Sequence, residues 1–303
     1  MFAVLLSDTP AFAQSHIITD AAGRKVEIKD TSRIVSIGGA VTEILYALGL
    51  GEKIIAVDST STFPDVAKEK ANVGYMRTLS PEGVLKMSPS LVLAIEGSGP
   101  PDAIEILEHA SVPFVLVPEA KNAEGVARKI RFTAEAAGVP AKGEALARAV
   151  IEDFSALSTS LANVNTRRKA IFILAMGSGA PIVGGSGTSA DALFRLAAID
   201  NALAGIKGFQ PASAEAMTVA EPDAIVVMSD RNHNMSPETL FAMPAFAQSP
   251  AAKTKTLVGL PGLYLLGFGP RTAHAAHDLA AAIYPDAKIP ALPARAWTNG
   301  EAQ

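Results

Sequence analysis

"SPEGVLKMSPSLVLAIEG" at 80–97 and "SAEAMTVAEPDAIVVMSD" at 213–230 align without a gap. Ser80, Glu82, Val84, Pro89 and Val92 fall on Ser213, Glu215, Met217, Pro222 and Ile225 at a constant shift of 133 residues (213 − 80). Each copy reads as a short helix entered through a serine N-cap and followed by an apolar strand; in the first copy Pro81 takes the first helical position. A second pair repeats in the same order. "TEILYALGL" (42–50) matches "ADALFRLAA" (190–198), with Glu43 over Asp191, Leu45 over Leu193, Tyr46 over Phe194 and Leu48 over Leu196. Two matched segments in one order predict a chain built from two like lobes.

The surrounding pattern sets the class of those lobes. "HIITDAAGRKVEIKD" (16–30) alternates about a turn and predicts a β-hairpin. After it, apolar strands at 33–39, 53–59, "SLVLAIEG" and "VPFVLVP" alternate with helical patterns. Strand–helix alternation with continuous apolar strands implies parallel sheets covered on both faces. A long helical pattern over 141–163 interrupts the series, and "RKAIFILAM" (168–176) starts it again. The fold class read here is α/β, with two similar Rossmann-like lobes joined by one long backbone helix. The divisions expected are an N-terminal lobe over 16–138, a linking helix over 139–165, a C-terminal lobe over 166–285 and a Pro- and Ala-rich tail over 286–303. The tail is expected to be poorly ordered apart from the contacts of Trp297.

At 303 residues with 49% hydrophobic content, the chain buries two domain-sized cores. A net charge of −4 argues against nucleic-acid or anionic-membrane binding, which draws on many Lys/Arg contacts. The absence of cysteine excludes disulfides and thiolate metal sites. "MFAVLLSDTPAFAQS" carries a short apolar run and then small residues at Ala11 and Ala13, the pattern left of a signal-peptidase site. Residues 1–13 are read as the remnant of a signal peptide, which predicts export.

Enzyme motifs fail on inspection. "GAPIVGGS" (179–186) has the spacing of a phosphate-binding loop but places Gly185 where the lysine belongs. "SIGGAVTE" (36–43) lacks the dinucleotide fingerprint, and neither GxSxG nor HExxH occurs. His274 and His277 share a spacing that suits a zinc pair, but no carboxylate cluster accompanies them, and a solvated helix face is the expected reading. The chain is expected not to be an enzyme.

Paired α/β lobes present the carboxyl ends of their strands to the space between them, where ligands bind. Two loops should line that cleft: "NVGYMRTLSPEGV" (72–84) and "SDRNHNMSP" (229–237). Tyr75 in the first is a packing group, a hydroxyl hydrogen-bond partner, or an anionic ligand to a hard metal. A phenolate suits Fe(III), tyrosine is an established axial ligand of haem iron, and a guanidinium beside it favours ionisation. Arg77 lies two residues on, and Arg231 in the second loop could pair a carboxylate bidentately. His233 is the one histidine in a predicted cleft loop.

"RIVSIGGAVTEILYALG", "NVGYMRTLSPEGVLKMSPSLVLA", "GSGTSADAL" and "YLLGFGPRT" together resemble the periplasmic haem-binding proteins, the substrate-binding components of ABC-type haem importers. The resemblance runs from about residue 17 to 285; its first stretch is shared with siderophore and cobalamin binders. It implies haem as transported ligand, Tyr75 as axial ligand, and Arg77 and Arg231 as support for the tyrosine or the propionates. His233 is then a candidate distal ligand. It further implies a monomer that delivers haem from the periplasm to a permease dimer with its ATPase. One acidic residue per lobe would dock on permease arginines, with Glu43 and its repeat partner Asp191 as nominees. The glycine-rich segment 177–189 has no histidine, so a single haem is expected. A siderophore or corrinoid carrier is the alternative within transport, and a two-lobed periplasmic enzyme the alternative outside it.

Overall fold

The computed structural model describes residues 15–176, 180–230 and 236–300. The hairpin forms from His16–Thr19 and Lys25–Ile28, paired antiparallel. The first sheet runs, in spatial order, Ala71–Asn72, Ile54–Val57, Ile34–Ile37, Leu91–Ile95 and Phe114–Val117, all parallel. The second runs Phe209–Pro211, Ile182–Gly184, Lys169–Ala175, Ala224–Met228 and Leu257–Leu260, with Asp200–Asn201 also on Lys169–Ala175. Between the two sheets in sequence stands the helix Pro140–Ser160.

The duplication is physical. Leu91–Ile95 and Ala224–Met228 stand apart by the same 133 residues (224 − 91). Ser80 Oγ accepts from the Gly83 amide and Ser213 Oγ from the Ala216 amide, so both N-caps form at matched positions. Val84 and Met217, aligned in the repeat, are both buried.

One half departs from the parallel expectation. Ile182–Gly184 pairs antiparallel with Lys169–Ala175, and Phe209–Pro211 antiparallel with Ile182–Gly184. The reason is length. Six residues separate Ala175 from Ile182, whereas a parallel return needs a crossover of a dozen or more.

Side-chain alternation divides the interior into three cores. Val35, Ile37, Val92 and Ala94 point to a core outside the first sheet; Ile171, Ile173, Ile225 and Val227 point to one outside the second. Ile34, Leu91 and Leu93 from the first sheet and Ala170, Phe172 and Val226 from the second share a third core. The linking helix supplies Leu146, Val150, Phe154 and Leu157 to that common core. It packs closely on the helix Ala123–Ala136, where a Cβ on Gly143 would stand 2.2 Å from Ala134 Cβ. The lobes are therefore joined through shared apolar area, and separating them would expose it at roughly 25 cal/mol per Å².

The tail departs from expectation. His274 and His277, on the helix Thr272–Ile283, bond the carbonyls of Pro293 (3.1 Å) and Pro290 (3.0 Å) through Nε2. Arg295 then reaches the linking helix, donating to Asp153, Glu152 and the Ala149 carbonyl. Asp153 is fully buried, and burial pushes its carboxyl up against the pull of Arg295. The histidines expected to form a solvated face hold this segment.

A charge also lies inside the junction. Lys129 has no exposure, and its Nζ meets Glu119 Oε2 at 3.3 Å and the Gly267 carbonyl of the second lobe at 3.4 Å. Burial pushes its ammonium pKa down, with Glu119, Glu43 and Glu96 pulling the other way. The Glu119 side chain is 45% exposed, so it keeps water if the lysine is lost. Lys129→Met is therefore expected to leave stability at pH 7 unchanged or raise it by about 1 kcal/mol, read by urea unfolding. The folded-state value is depressed, so the unfolded chain holds the proton longer. Wild-type stability should rise relative to the variant as pH climbs through the folded value toward the ordinary lysine value. A loss above about 1 kcal/mol at pH 7 would make the ammonium a net stabilising tie.

Candidate functional site

The loop carrying Tyr75 follows the edge strand Ala71–Asn72 at the carboxyl end of the first sheet. Its backbone is bonded on every side. Asn72 Oδ1 accepts from Gly74 N at 2.7 Å, an Asx turn. The Gly74 carbonyl accepts from Ser59 N, and the Tyr75 carbonyl from Thr78 N, both at 2.8 Å. Met76 O accepts from Gly99 N, and Gly99 O accepts from Leu79 N, tying the loop to the one after Leu91–Ile95.

Side chains on this rigid loop stand free. Tyr75 is 36% exposed, and among the described residues its hydroxyl has no hydrogen-bond partner. Arg77 is exposed, and its guanidinium likewise has none. Sequence reading left three roles open for Tyr75; an internal hydrogen bond is absent among the described residues, and the ring is partly covered and partly open to solvent. An ionisable oxygen and a cation two residues apart remain available to a ligand. Arg231 and His233 lie outside the described residues. Asp230, just before them, accepts from Gly262 N at 3.1 Å and closes the end of Ala224–Met228 onto the next loop. Among the described residues no group of three or more His, Asp or Glu could hold a metal ion.

The docking nominees are corrected. Glu43, on the helix Gly39–Ala47, is 3% exposed and accepts two parallel bonds from Arg271 of the second lobe, Nε to Oε1 and Nη2 to Oε2, each 3.0 Å. The Arg271 amide adds a third at 3.2 Å. The guanidinium is covered by the ring of Phe63, 3.3 Å from its centroid, and by that of Tyr264 at 4.9 Å. Gly269 passes so close that a Cβ there would sit 3.2 Å from the carboxylate. Asp191 is 6% exposed and is held by Arg195, Asn201 and the Gly187 amide. Burial alone would raise its pKa; the bonds from Asn201, Gly187 and Arg195 outweigh that and lower it. Neither carboxylate is offered to a partner.

An exposed pair was present in the repeat and passed over. Glu82 and Glu215 coincide at the shift of 133, each in the first turn of a short helix, and both are exposed. The signal was that polar residues on a solvated first turn are shared by both copies, where core packing imposes nothing.

A family model described as periplasmic binding protein matches residues 34–263. Among solved structures, the periplasmic heme-binding protein RhuT from Roseiflexus sp. RS-1, in apo form, superposes with a TM-score of 0.81 at 35% identity. That match covers 85% of this chain and all of the other. An uncharacterised ABC transporter substrate-binding lipoprotein, YvrC of Bacillus subtilis, is 28% identical over 89% of this chain and 85% of its own. The vitamin B12-binding protein of Vibrio parahaemolyticus is also 28% identical, over 69% of this chain and 74% of its own.

Proposed function

The chain belongs to the periplasmic binding protein family, a family of binding proteins rather than enzymes, and from that premise we propose that it captures haem in the cleft between its lobes. It would then present the haem, in the periplasm, to the permease of an ABC importer. The observation that carries the reading is Tyr75, an exposed phenol with no hydrogen-bond partner among the described residues, on a loop held by backbone bonds at Gly74, Tyr75 and Met76, with Arg77 beside it. A rigid loop loses little freedom when its side chains engage a ligand. Tyr75 oxygen would bind Fe(III), and Arg77 would stabilise the phenolate or pair with a propionate. Arg231 and His233 complete the proposal from the second loop, as propionate partner and candidate distal ligand. One haem per chain and a monomeric carrier follow from the same reading. The structural likeness to a protein named as heme-binding supports it. Among the described residues no helix is long and apolar enough to cross a membrane.

A corrinoid ligand is the second reading, favoured by the relative named as vitamin B12-binding. It predicts recognition without dependence on a phenolate. Hemin titration followed by visible absorption, on the wild type and on Tyr75→Phe, separates the two. The haem reading expects a saturable tyrosinate-type high-spin Fe(III) spectrum, lost in the variant together with roughly tenfold or more in affinity, about 1.4 kcal/mol. Saturable hemin binding that ignores Tyr75 moves the ligand to another residue. No hemin binding, with cobalamin binding, overturns the haem reading.

Docking on a two-fold permease calls for equivalent exposed groups on the two lobes, and Glu82 and Glu215 replace Glu43 and Asp191 in that role. Glu82→Ala with Glu215→Ala should leave hemin affinity unchanged and abolish haem-dependent growth through the cognate importer. Normal uptake by the double variant sinks the assignment.

A further inference from the structure

Two contacts besides Lys129 carry a cation from one lobe to the other, and they differ in every physical respect. Arg271 of the second lobe grips Glu43 of the first through three hydrogen bonds, with side chains 12% and 4% exposed. Lys121 of the first lobe reaches the second with a single bond, Nζ to the Gly187 carbonyl at 2.6 Å, and is exposed. The two contacts hold related places in the duplicated fold. Arg271 directly precedes the helix Thr272–Ile283, and Lys121 directly precedes Asn122, the N-cap of Ala123–Ala136. Glu43 lies on the helix Gly39–Ala47, and Gly187 directly precedes Thr188, the N-cap of its repeat counterpart Ser189–Leu196.

They also sit at opposite sides of the junction. Phe63, which covers Arg271, follows the strand Ile54–Val57; Lys121 follows Phe114–Val117, three strand positions away. In the second sheet Gly187 follows Ile182–Gly184 and Arg271 follows Leu257–Leu260, again three positions apart. At a strand spacing near 4.8 Å the separation is about 14 Å in both sheets.

The tail reinforces one side only. Trp297 lies in the groove with Ala47, Leu48 and Gly49 at the end of the Glu43 helix, facing Lys142 and Leu146 of the linking helix. A Cβ on Gly300 would stand 3.4 Å from the Phe63 ring that covers Arg271. The chain's last described turn therefore packs on the Arg271 side, after crossing the linking helix at Asp153.

We infer that the lobes open asymmetrically: the Arg271–Glu43 side, covered by Phe63 and the tail, is the pivot, and Lys121–Gly187 is the contact that parts. Breaking the first would strand a buried carboxylate; breaking the second exchanges one exposed bond for water. The inference rests on the junction alone and holds whatever the ligand is.

The test uses the full apo protein, which has no native cysteine and so accepts spin-label pairs directly. One double-cysteine pair, Glu124→Cys with Lys207→Cys, spans the Lys121 side; the other, Val66→Cys with Ala282→Cys, spans the Arg271 side. Lys121→Ala is introduced into both, and electron–electron distance distributions are compared. The first pair should shift to longer distances, with about a fivefold rise in the open population, equivalent to about 1 kcal/mol for one exposed hydrogen bond. The second should not move. Lys121→Arg, which retains a donor, should restore the first distribution. The inference is overturned if Lys121→Ala leaves the first pair unchanged, or if both pairs lengthen together.

Discussion

A carboxylate at 3% exposure in a protein interior needs a donor at close range, and Glu43 is met from the other lobe. Desolvating the pair costs several kcal/mol per ion, so the bidentate geometry, the third bond from the Arg271 amide and the two aromatic faces are what make the arrangement tolerable. Once formed, the pair ties the first helix of one lobe to the last helix of the other, because parting them leaves an unpaired buried charge. The common core through the linking helix imposes the same restraint by area. With the lobes fixed in this way, the carboxyl ends of both sheets face one cleft, and the loops there inherit the task of recognition.

Divergence after duplication is legible at the paired acidic positions. Glu43 and Asp191 align, both are buried, and each anchors the start of its helix region, yet only Glu43 receives its cation across the junction. Asp191 is one carbon shorter and is satisfied inside its own lobe by Arg195 and Asn201. The second lobe instead presents a backbone carbonyl at Gly187 to Lys121. The junction therefore holds one strong tie and one weak one, and on the inferred asymmetry the weak one is where the lobes yield.

The repeat at 80–97 and 213–230 made the two-lobe architecture readable, because strand and helix positions in both copies answer to the same packing demands and coincide to the residue. The antiparallel edge at Ile182–Gly184 was not read, although the six-residue connection from Ala175 already forbade a crossover. The family resemblance implies a docking carboxylate near the start of this helix, and from sequence alone Glu43 fits that motif until its partner is known. That partner lies 228 residues away, and no local pattern announces it. Glu82 and Glu215 align in the repeat, but alignment alone does not distinguish a shared solvated residue from a shared function. The histidine pair and the tail misled together: polar spacing on one helix face matched a solvated surface, while their partners were backbone carbonyls with no side-chain signature.

Tyrosine usage argues for the ligand more sharply than the fold does. Of the four tyrosines, Tyr46 and Tyr284 are 6% and 7% exposed, and Tyr264 donates to Asp278. Burial pushes all three above the ordinary phenol pKa, which makes them poor anionic ligands. Tyr75 alone presents an accessible, uncommitted hydroxyl, and it does so on a loop held by backbone bonds at Gly74, Tyr75 and Met76. A ring placed only to pack against a ligand needs no vacant oxygen, and a phenylalanine would serve it equally. Leaving the oxygen free of internal partners while backbone bonds hold the loop preorganises one atom, and on the proposed haem reading that atom would hold the iron.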